Sequence, residues 1–408
     1  MATSFIRTTA VVLAAATALT AGMTAPAAAR RTFAASSLRV TDEAAAAGIA
    51  RVTNDSFGNS LVFDYNSDGV ADLLLSNHQL QPAELFRGNA NGTFTKVREL
   101  PVADRHYCTS GDFDGDRRPD FFCTIGASGG HSDSKSNQLW LQRSPGTFTM
   151  VAGAWGAADP AGRGRDVATL DANNDGRPDL FIGNGSGRNF PSSDKLFLNR
   201  RGSFAEHTGW TANPRGGGIC VAPADYNRDG RTDIFVCGRP NHLYTALRAT
   251  TTYRDDAGRL GINTEQGKDA QWGDLNGDGK LDLVVVGDTM LRVWLRQPGG
   301  FTNSYSRPLQ AGRNAGVADL DRDGHLDIYV VQGRAGGTGP NVADVLLLGG
   351  GNGTSFTKFS GLPQASTGGG NEVSVIPHYN GRPALVVTNG GDGDRFLRGP
   401  RQLLVFHS

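Results

Sequence analysis

Residues 319–328 read DLDRDGHLDI, with Asp at positions 1, 3, 5 and 9, Gly at position 6, and a β-rich apolar run immediately after. The ten-residue pattern recurs from Asp64, Asp112, Asp171, Asp225 and Asp274, with Asp or Asn at position 3, and a shortened seventh copy, HYNGRPAL, occupies 378–385. Loop starts are 45 to 59 residues apart. Repetition at that period points to one closed or stacked architecture, not to several unrelated domains within 408 residues.

The units share a four-part grammar. A strand of small residues enters each loop (SLVFD, TSGD, VATLD, VAPAD, DAQWGD, AGVAD), and a strongly β-forming strand leaves it (DLLLSN, DFFCTIG, DLFIGNG, DIFVCG, DLVVVGD, DIYVVQG). A third strand follows, as in NQLWLQ and DVLLLG, and a fourth closes the unit, as in GTFTKV and GGFTNS. Four antiparallel strands per repeat describe the blades of an all-β propeller, and small residues on the first strand relieve crowding at its central channel. No 10 to 12-residue run of helical period supports a helical solenoid.

After the sixth unit, residues 372–377, 384–389 and 401–407 reproduce only three strands. The segment 37–43, SLRVTDE, can supply the fourth. The count is then seven blades, closed by the N-terminal strand joining the last blade so that no sheet edge stays open, with eight blades as the rival count.

Lys plus Arg number 40 and Asp plus Glu 40, so there is no footprint for nucleic acid. Twenty of the acids lie in the six loops, where they repel one another unless a cation sits between them. Residues 1–29 read as a signal peptide, with Arg7 before an apolar run at 10–22 and Ala27, Ala28 and Ala29 as a cleavage site. Residues 30–36 form a short linker and 37–408 the propeller. No later 18-residue apolar run and no lipidation cysteine follows, which predicts a secreted, extracellular protein without a membrane span.

Export makes the four cysteines readable as disulfides. Cys108 and Cys123 stand at −8 and +7 from Asp116, and Cys220 and Cys237 at −9 and +8 from Asp229. Both pairs fit one antiparallel register across their hairpins. The one-residue shift puts the two bridges on opposite faces of their sheets.

The six loops span 64–72, 112–120, 171–179, 225–233, 274–282 and 319–327. Alternating acidic side chains on a tight turn bring four side-chain oxygens to one point, with a carbonyl at position 7 as a fifth, which suits a hard cation of calcium size. An EF-hand loop begins the same way but requires Glu at position 12, and here that position holds Leu75, Cys123, Ile182, Val236, Val285 and Val330. Acidic turns that merely face water are the bland alternative, plausible for one copy and strained as an account of six.

With these motifs in view, the chain resembles the FG-GAP/VCBS repeats of integrin-α-like seven-bladed propellers, of the secreted bacterial type, over nearly all of 37–408. DxNxDGxxDL followed by a GTF strand, as in GNANGTFTKV, carries the resemblance. It implies Ca²⁺ ligand roles for Asp64, Asn66, Asp68 and Asp72; Asp112, Asp114, Asp116 and Asp120; Asp171, Asn173, Asp175 and Asp179; Asp225, Asn227, Asp229 and Asp233; Asp274, Asn276, Asp278 and Asp282; and Asp319, Asp321, Asp323 and Asp327, about six structural sites. Relatives include adhesion receptors, lectins and a few enzyme-attached propellers, so membership does not fix an activity.

Two copies depart from the pattern. Arg117 replaces the loop-2 Gly, a steric cost if the left-handed conformation is kept. The seventh copy lacks two residues and has His378 and Ala384 in place of ligand aspartates, so no metal is expected there.

No nucleophile elbow, zinc motif, phosphate loop or dinucleotide fingerprint is present. Eight scattered histidines form no catalytic spacing, and His131 reads as a solvated loop residue. The ions are therefore expected to be structural and the function to lie on the opposite face, where long connections carry Trp155, Arg188, Phe190 and Trp210 as candidate ligand contacts, with packing of the tryptophans under their own loops as the alternative. The expected protein is a monomeric, non-enzymatic binding or adhesion module for an extracellular glycan or protein. An extracellular polysaccharide lyase or hydrolase using the same face is the alternative.

Overall fold

The computed structural model describes residues 38–408 except 54–58, 77–80, 127–135, 186–192, 212–216, 249–250, 264–265, 335–339, 364–368 and 391–398. These residues form seven four-stranded antiparallel sheets. Each first strand lies against the first strand of the next blade, and that of blade 7 against that of blade 1, so the ring closes. The predicted seven-bladed all-β propeller is the fold, and the rival count of eight is excluded.

Blade 6, which carries the opening stretch, runs Gly312–Ala318, Asp327–Gln332, Val345–Gly349 and Phe356–Phe359 from channel to rim. Its second strand, DIYVVQ, is buried at every position, as are DLLL, DFFCTI and DIFVC in other blades. A neighbouring blade covers each face, so these strands are apolar throughout and do not alternate. Fourth strands face solvent on one side. In FTKVRE of blade 1 only Phe94 is buried, and Phe148, Phe204 and Phe301 repeat that anchor.

Among the described residues the core is seven separate wedges, one per seam. Leu61, Phe63 and Leu85 of blade 1 meet Phe121 and Trp140 of blade 2, for example. Both predicted disulfides are present, with Cα atoms 4.1 Å apart for Cys108–Cys123 and 4.9 Å for Cys220–Cys237. The first faces back into the seam of blades 1 and 2, and the second forward into the seam of blades 4 and 5. Closing loops of 15 and 17 residues, each restrains the unfolded chain by about 3 kcal/mol in the chain-entropy account.

The ring is closed as the sequence predicts. Arg39–Asp42 pairs antiparallel with Gln402–His407, completing blade 7. Leu38 and Val40 enter the wedge between blades 6 and 7, while Ala44, Ala47 and Ile49 enter the wedge between blades 7 and 1. An ion triad spans that last seam, buried Glu84 of blade 1 lying 2.7 Å from both buried Arg401 and part-exposed Arg51.

Polar side chains staple the first strands across the seams. Asn59 accepts from Cys108 N–H (2.8 Å), Asp166 from Val221 N–H (2.6 Å), Asp269 from Ala315 N–H (2.9 Å) and Asn314 from Val373 N–H (3.1 Å). Tyr107, the counterpart in blade 2, instead crosses the channel. Its hydroxyl donates to Glu372 Oε2 at 2.5 Å and lies 3.4 Å from Asn314 Nδ2, so a phenol closes the channel at this level. Burial, reinforced by Glu372, Asp166 and Asp269, holds that phenol well above its ordinary value of 10.0, and it stays a donor.

Another repeated device sits before the third strand. Asn137 accepts from Ile125 N–H (3.0 Å), Asn241 from Gly238 N–H (3.2 Å), Asp194 from Asn184 N–H (2.9 Å) and Asp344 from Gln332 N–H (2.8 Å). Burial pushes the Asp194 carboxyl up from 3.8 to about 7. The folded state therefore prefers the proton, and this group's contribution to stability is full below the unfolded value of 3.8 and declines as pH rises toward about 7. Asp194→Asn keeps the accepting oxygen and matches the residue already used in blades 2 and 4. It is expected to stabilise the fold by about 1 kcal/mol at roughly pH 8 and by nothing measurable at roughly pH 4, as read by urea titration at the two pH values.

Candidate metal centres

Each acidic loop connects the first and second strands of its blade, which places all six at one end of the ring. In loop 1, Asp64 accepts from Asp68 N–H (3.1 Å) and Gly69 N–H (2.8 Å), Asn66 from Asp68 N–H (3.0 Å), and Asp68 from Val70 N–H (2.8 Å). Loops 3, 4 and 5 repeat these bonds through Asp171, Asn173 and Asp175; Asp225, Asn227 and Asp229; and Asp274, Asn276 and Asp278. Winding the loop this tightly takes left-handed backbone at two positions. Position 4 has φ 59° at Ser67, 56° at Asn174, 59° at Arg228 and 65° at Arg322, and the position-6 glycines have φ between 79° and 91°.

Loop 2 exchanges the two. Gly115 stands at position 4 with φ 80°, and Arg117 keeps the left-handed conformation at position 6 with φ 69°, its N–H still on Asp112 at 2.9 Å. The steric cost foreseen at Arg117 is thus retained. Arg117→Gly is expected to raise stability by about 1 kcal/mol, visible as a higher midpoint at unchanged m-value, whereas an equal or lower midpoint means the arginine side chain offsets its own strain.

The position-9 aspartates are fully buried, and this role was not foreseen. Asp72 joins three segments, accepting from Tyr65 N–H of its loop (2.9 Å) and from Gly88 N–H of the third strand (2.8 Å). Asp120, Asp179, Asp282 and Asp327 make the same pair of bonds, and Asp233 accepts from Ala246 N–H at 2.8 Å. Burial raises these carboxyls from 3.8 to about 7 at Asp72, Asp120 and Asp179, about 8 at Asp233 and Asp327, and about 6 at Asp282, with loop carboxylates adding to the effect.

Loops 2 and 6 carry a fourth carboxylate and gather it closely. Asp112, Asp114 and Asp116, and likewise Asp319, Asp321 and Asp327, bring carboxylate oxygens within 4.8 Å of one another. Asp112 Oδ1 and Asp319 Oδ1 are buried without a hydrogen-bond partner. An orphaned anionic oxygen beside two further carboxylates is a donor set that a hard cation satisfies, so these residues fit Ca²⁺. In loops 2, 3 and 5 the position-7 side chain folds onto the position-5 carboxylate, as Arg118 on Asp116, Arg177 on Asp175 and Lys280 on Asp278.

Residues 64–123, 112–182, 171–236 and 274–330 match the FG-GAP-like repeat. The chain belongs to the FG-GAP-like repeat family. Across 203 residues, 46% of this chain and 29% of the relative, it is 28% identical to human cartilage acidic protein 1, and across 205 residues, 46% of this chain and 30% of the relative, 26% identical to the mouse protein of that name. It thus spans under a third of these curated relatives. The BBS1N chain crystallised with ARL6DN shares the fold, with a TM-score of 0.54 at 10% identity, covering 88% of this chain and 94% of that one.

The ligand face needs correction. Trp210 is 2% exposed, packed edge-on against Phe181 and Tyr244 at ring distances of 5.1 and 4.8 Å, and its carbonyl accepts from Tyr253 N–H. It is a seam residue and offers nothing to a ligand. Trp155 holds the same place one repeat earlier, half-buried, its carbonyl accepting from Phe204 N–H, as Ala47 does toward Phe94. Their place in long connections between blades made both candidate contacts, with packing under their own loops as the alternative, and the turn carrying each folds under the next blade. Arg188, Phe190 and His131 lie outside the described residues.

Proposed function

We propose that the chain is a secreted, calcium-stabilised propeller acting as a monomeric, non-enzymatic extracellular binding module for a glycan or a protein. The observation that carries this reading is the six-fold repetition of one acidic loop at one end of the ring, each with its last aspartate built into the blade. A site needed for chemistry has no cause to be copied six times, whereas a device holding two strands together does.

Ca²⁺ would be held by positions 1, 3, 5 and 9 of each loop, and its chemistry there is to neutralise carboxylates that repel one another. Residues 1–29 serve in this reading as the export signal and 30–36 as the linker. The two disulfides accord with an oxidising compartment, and no helix of the described residues is long and apolar enough to cross a membrane. The Tyr107–Glu372 contact that closes the channel directs ligand binding to the faces and seams of the ring.

Purified chain is to be tested on a glycan array and in protein capture, with calcium and with chelator. Saturable, calcium-dependent binding is the expected result. Turnover of a polysaccharide by the pure chain would overturn the non-enzymatic reading.

A further inference from the structure

The first strands start at the end of the ring opposite the acidic loops, and in five blades that start is irregular. Register shifts between Arg105 and Cys108, Gly164 and Asp166, Gly267 and Asp269, Gly312 and Asn314, and Gly370 and Glu372. A bulge of this kind leaves a residue out of the ladder and re-aims its side chain. The residues so displaced include His106 in blade 2, Arg165 in blade 3, Lys268 in blade 5, Arg313 in blade 6 and Asn371 in blade 7. They surround the channel mouth, and Tyr107, next to His106, closes the channel beneath them through Glu372.

Blades 2 and 3 gather positive charge at this mouth. Arg163 and Arg165 flank Gly164, and both are half-buried. Arg165 Nη1 lies 3.0 Å from Nδ1 and 2.9 Å from Nε2 of His106, and that Nε2 is 3.3 Å from Asp104. A Cβ would fall 2.1 Å from His106 Nε2 at Gly126 and 2.9 Å from Arg165 Nε at Gly185, so glycine just after each second strand makes room for the pair. Arg163 Nε is buried and has no hydrogen-bond partner. Burial and the adjoining Arg163 charge push the Arg165 guanidinium down to about 10, with Asp104 acting in the other direction. Lys268, by contrast, lies 3.3 Å from Asp288, and Asn371 carries no charge.

We infer that Arg163, Arg165 and His106 form a site for one oxyanion, a carboxylate or a sulfate. The proposal rests on the binding-module reading and gives its ligand a negatively charged group. Each guanidinium carries five N–H donors and no acceptor, and the imidazole accepts at most one of them. An oxyanion supplies several acceptors together with the charge that two adjacent guanidinia need to offset their repulsion. The charge excess described here belongs to two neighbouring blades in a chain of 40 basic and 40 acidic residues, so it suits one charged group and not a run of them. The site lies opposite the acidic loops, on the face to which the sequence directs attention.

The test is calorimetric titration of the full chain at constant ionic strength with sodium sulfate, with sodium methyl glucuronate and with neutral methyl glucoside. Arg163→Gln and Arg165→Gln each remove a charge from the site, and Lys268→Gln removes an equal charge from the same mouth outside it. The expected result is a Kd of about 1 mM for at least one charged probe and no binding of methyl glucoside. Affinity is expected to fall about tenfold or more in both arginine variants, at unchanged melting temperature, and to persist in Lys268→Gln. Sulfate binding identifies the oxyanion itself as sufficient, and binding of the glucuronate alone identifies a sugar as its carrier. Failure of both charged probes, or equal affinity in wild type and the arginine variants, would overturn the site while leaving the binding-module reading intact. Should a variant lose its fold, the wild-type chain decides: charged-probe binding that weakens with added sodium chloride supports the site, and equal binding of methyl glucoside overturns it. Arginine-dependent binding alongside blank arrays and captures would refute the wider reading and spare this one.

Discussion

Addition of a chelator is expected to lower the thermal midpoint of this protein by about 10 °C or more, the largest effect available without changing a residue. A state that binds an ion when the unfolded chain does not gains RT ln(1 + [L]/Kd), which is ~2.7 kcal/mol per site at a hundredfold excess over Kd. Unfolding a ring whose blades share their wedges releases the ions together, so about three occupied loops suffice for a shift of this size. The orphaned oxygens at Asp112 and Asp319 locate the steepest local cost in the ion-free chain, in loops 2 and 6. Differential scanning calorimetry with calcium, with chelator and with calcium restored measures it. Superimposable traces would remove calcium from the account of this fold.

Deleting residues 1–50 is expected to abolish the cooperative transition, whereas deleting 1–37 should leave it in place. The longer deletion removes the fourth strand of blade 7 and the apolar groups Leu38, Val40, Ala44, Ala47 and Ile49 from two wedges. Each of the larger side chains contributes about 1.5–3 kcal/mol on burial, and the whole stability of a domain is about 5–15 kcal/mol. It also exposes the edge of Gln402–His407, six residues of which QLLVF is buried, as a template for pairing with other copies. Near-ultraviolet circular dichroism and gel filtration report the outcome. Equal melting of the two shortened chains would mean that Arg39–Asp42 merely rests on the ring.

Blade number, strand order and both disulfides with their faces were legible in the chain because each depends on contacts close in sequence, and the closing strand, though it pairs residues more than 350 positions apart, was legible because the repeat count left one strand missing. A hairpin pairs residues 15 or 17 apart, and the period-2 rule then fixes which face a cysteine takes. Depth is different. The composition of a long connection says that it carries aromatics but not whether the next blade covers them, which is why Trp210 reads as a candidate ligand contact and is 2% exposed.

The loops divide in the same way. Their acidic spacing is local, so positions 1, 3, 5 and 9 were legible as one oxygen cluster. That the ninth aspartate also binds the third strand was not, since Asp72 meets Gly88 only after the blade has folded. Tyr107 and Glu372 are 265 positions apart and on blades that are not neighbours, so only closure of the ring aligns them.

The opening stretch, 319–328, with its copies, determined by itself that the protein is a ring of blades carrying acidic loops, because hairpin geometry and carboxylate spacing act over a few residues. The tertiary structure alone decided how the channel is closed and which tryptophans are framework. Those features arise from contacts between blades, whose residues are far apart in the chain, and no local interaction encodes the distance between them.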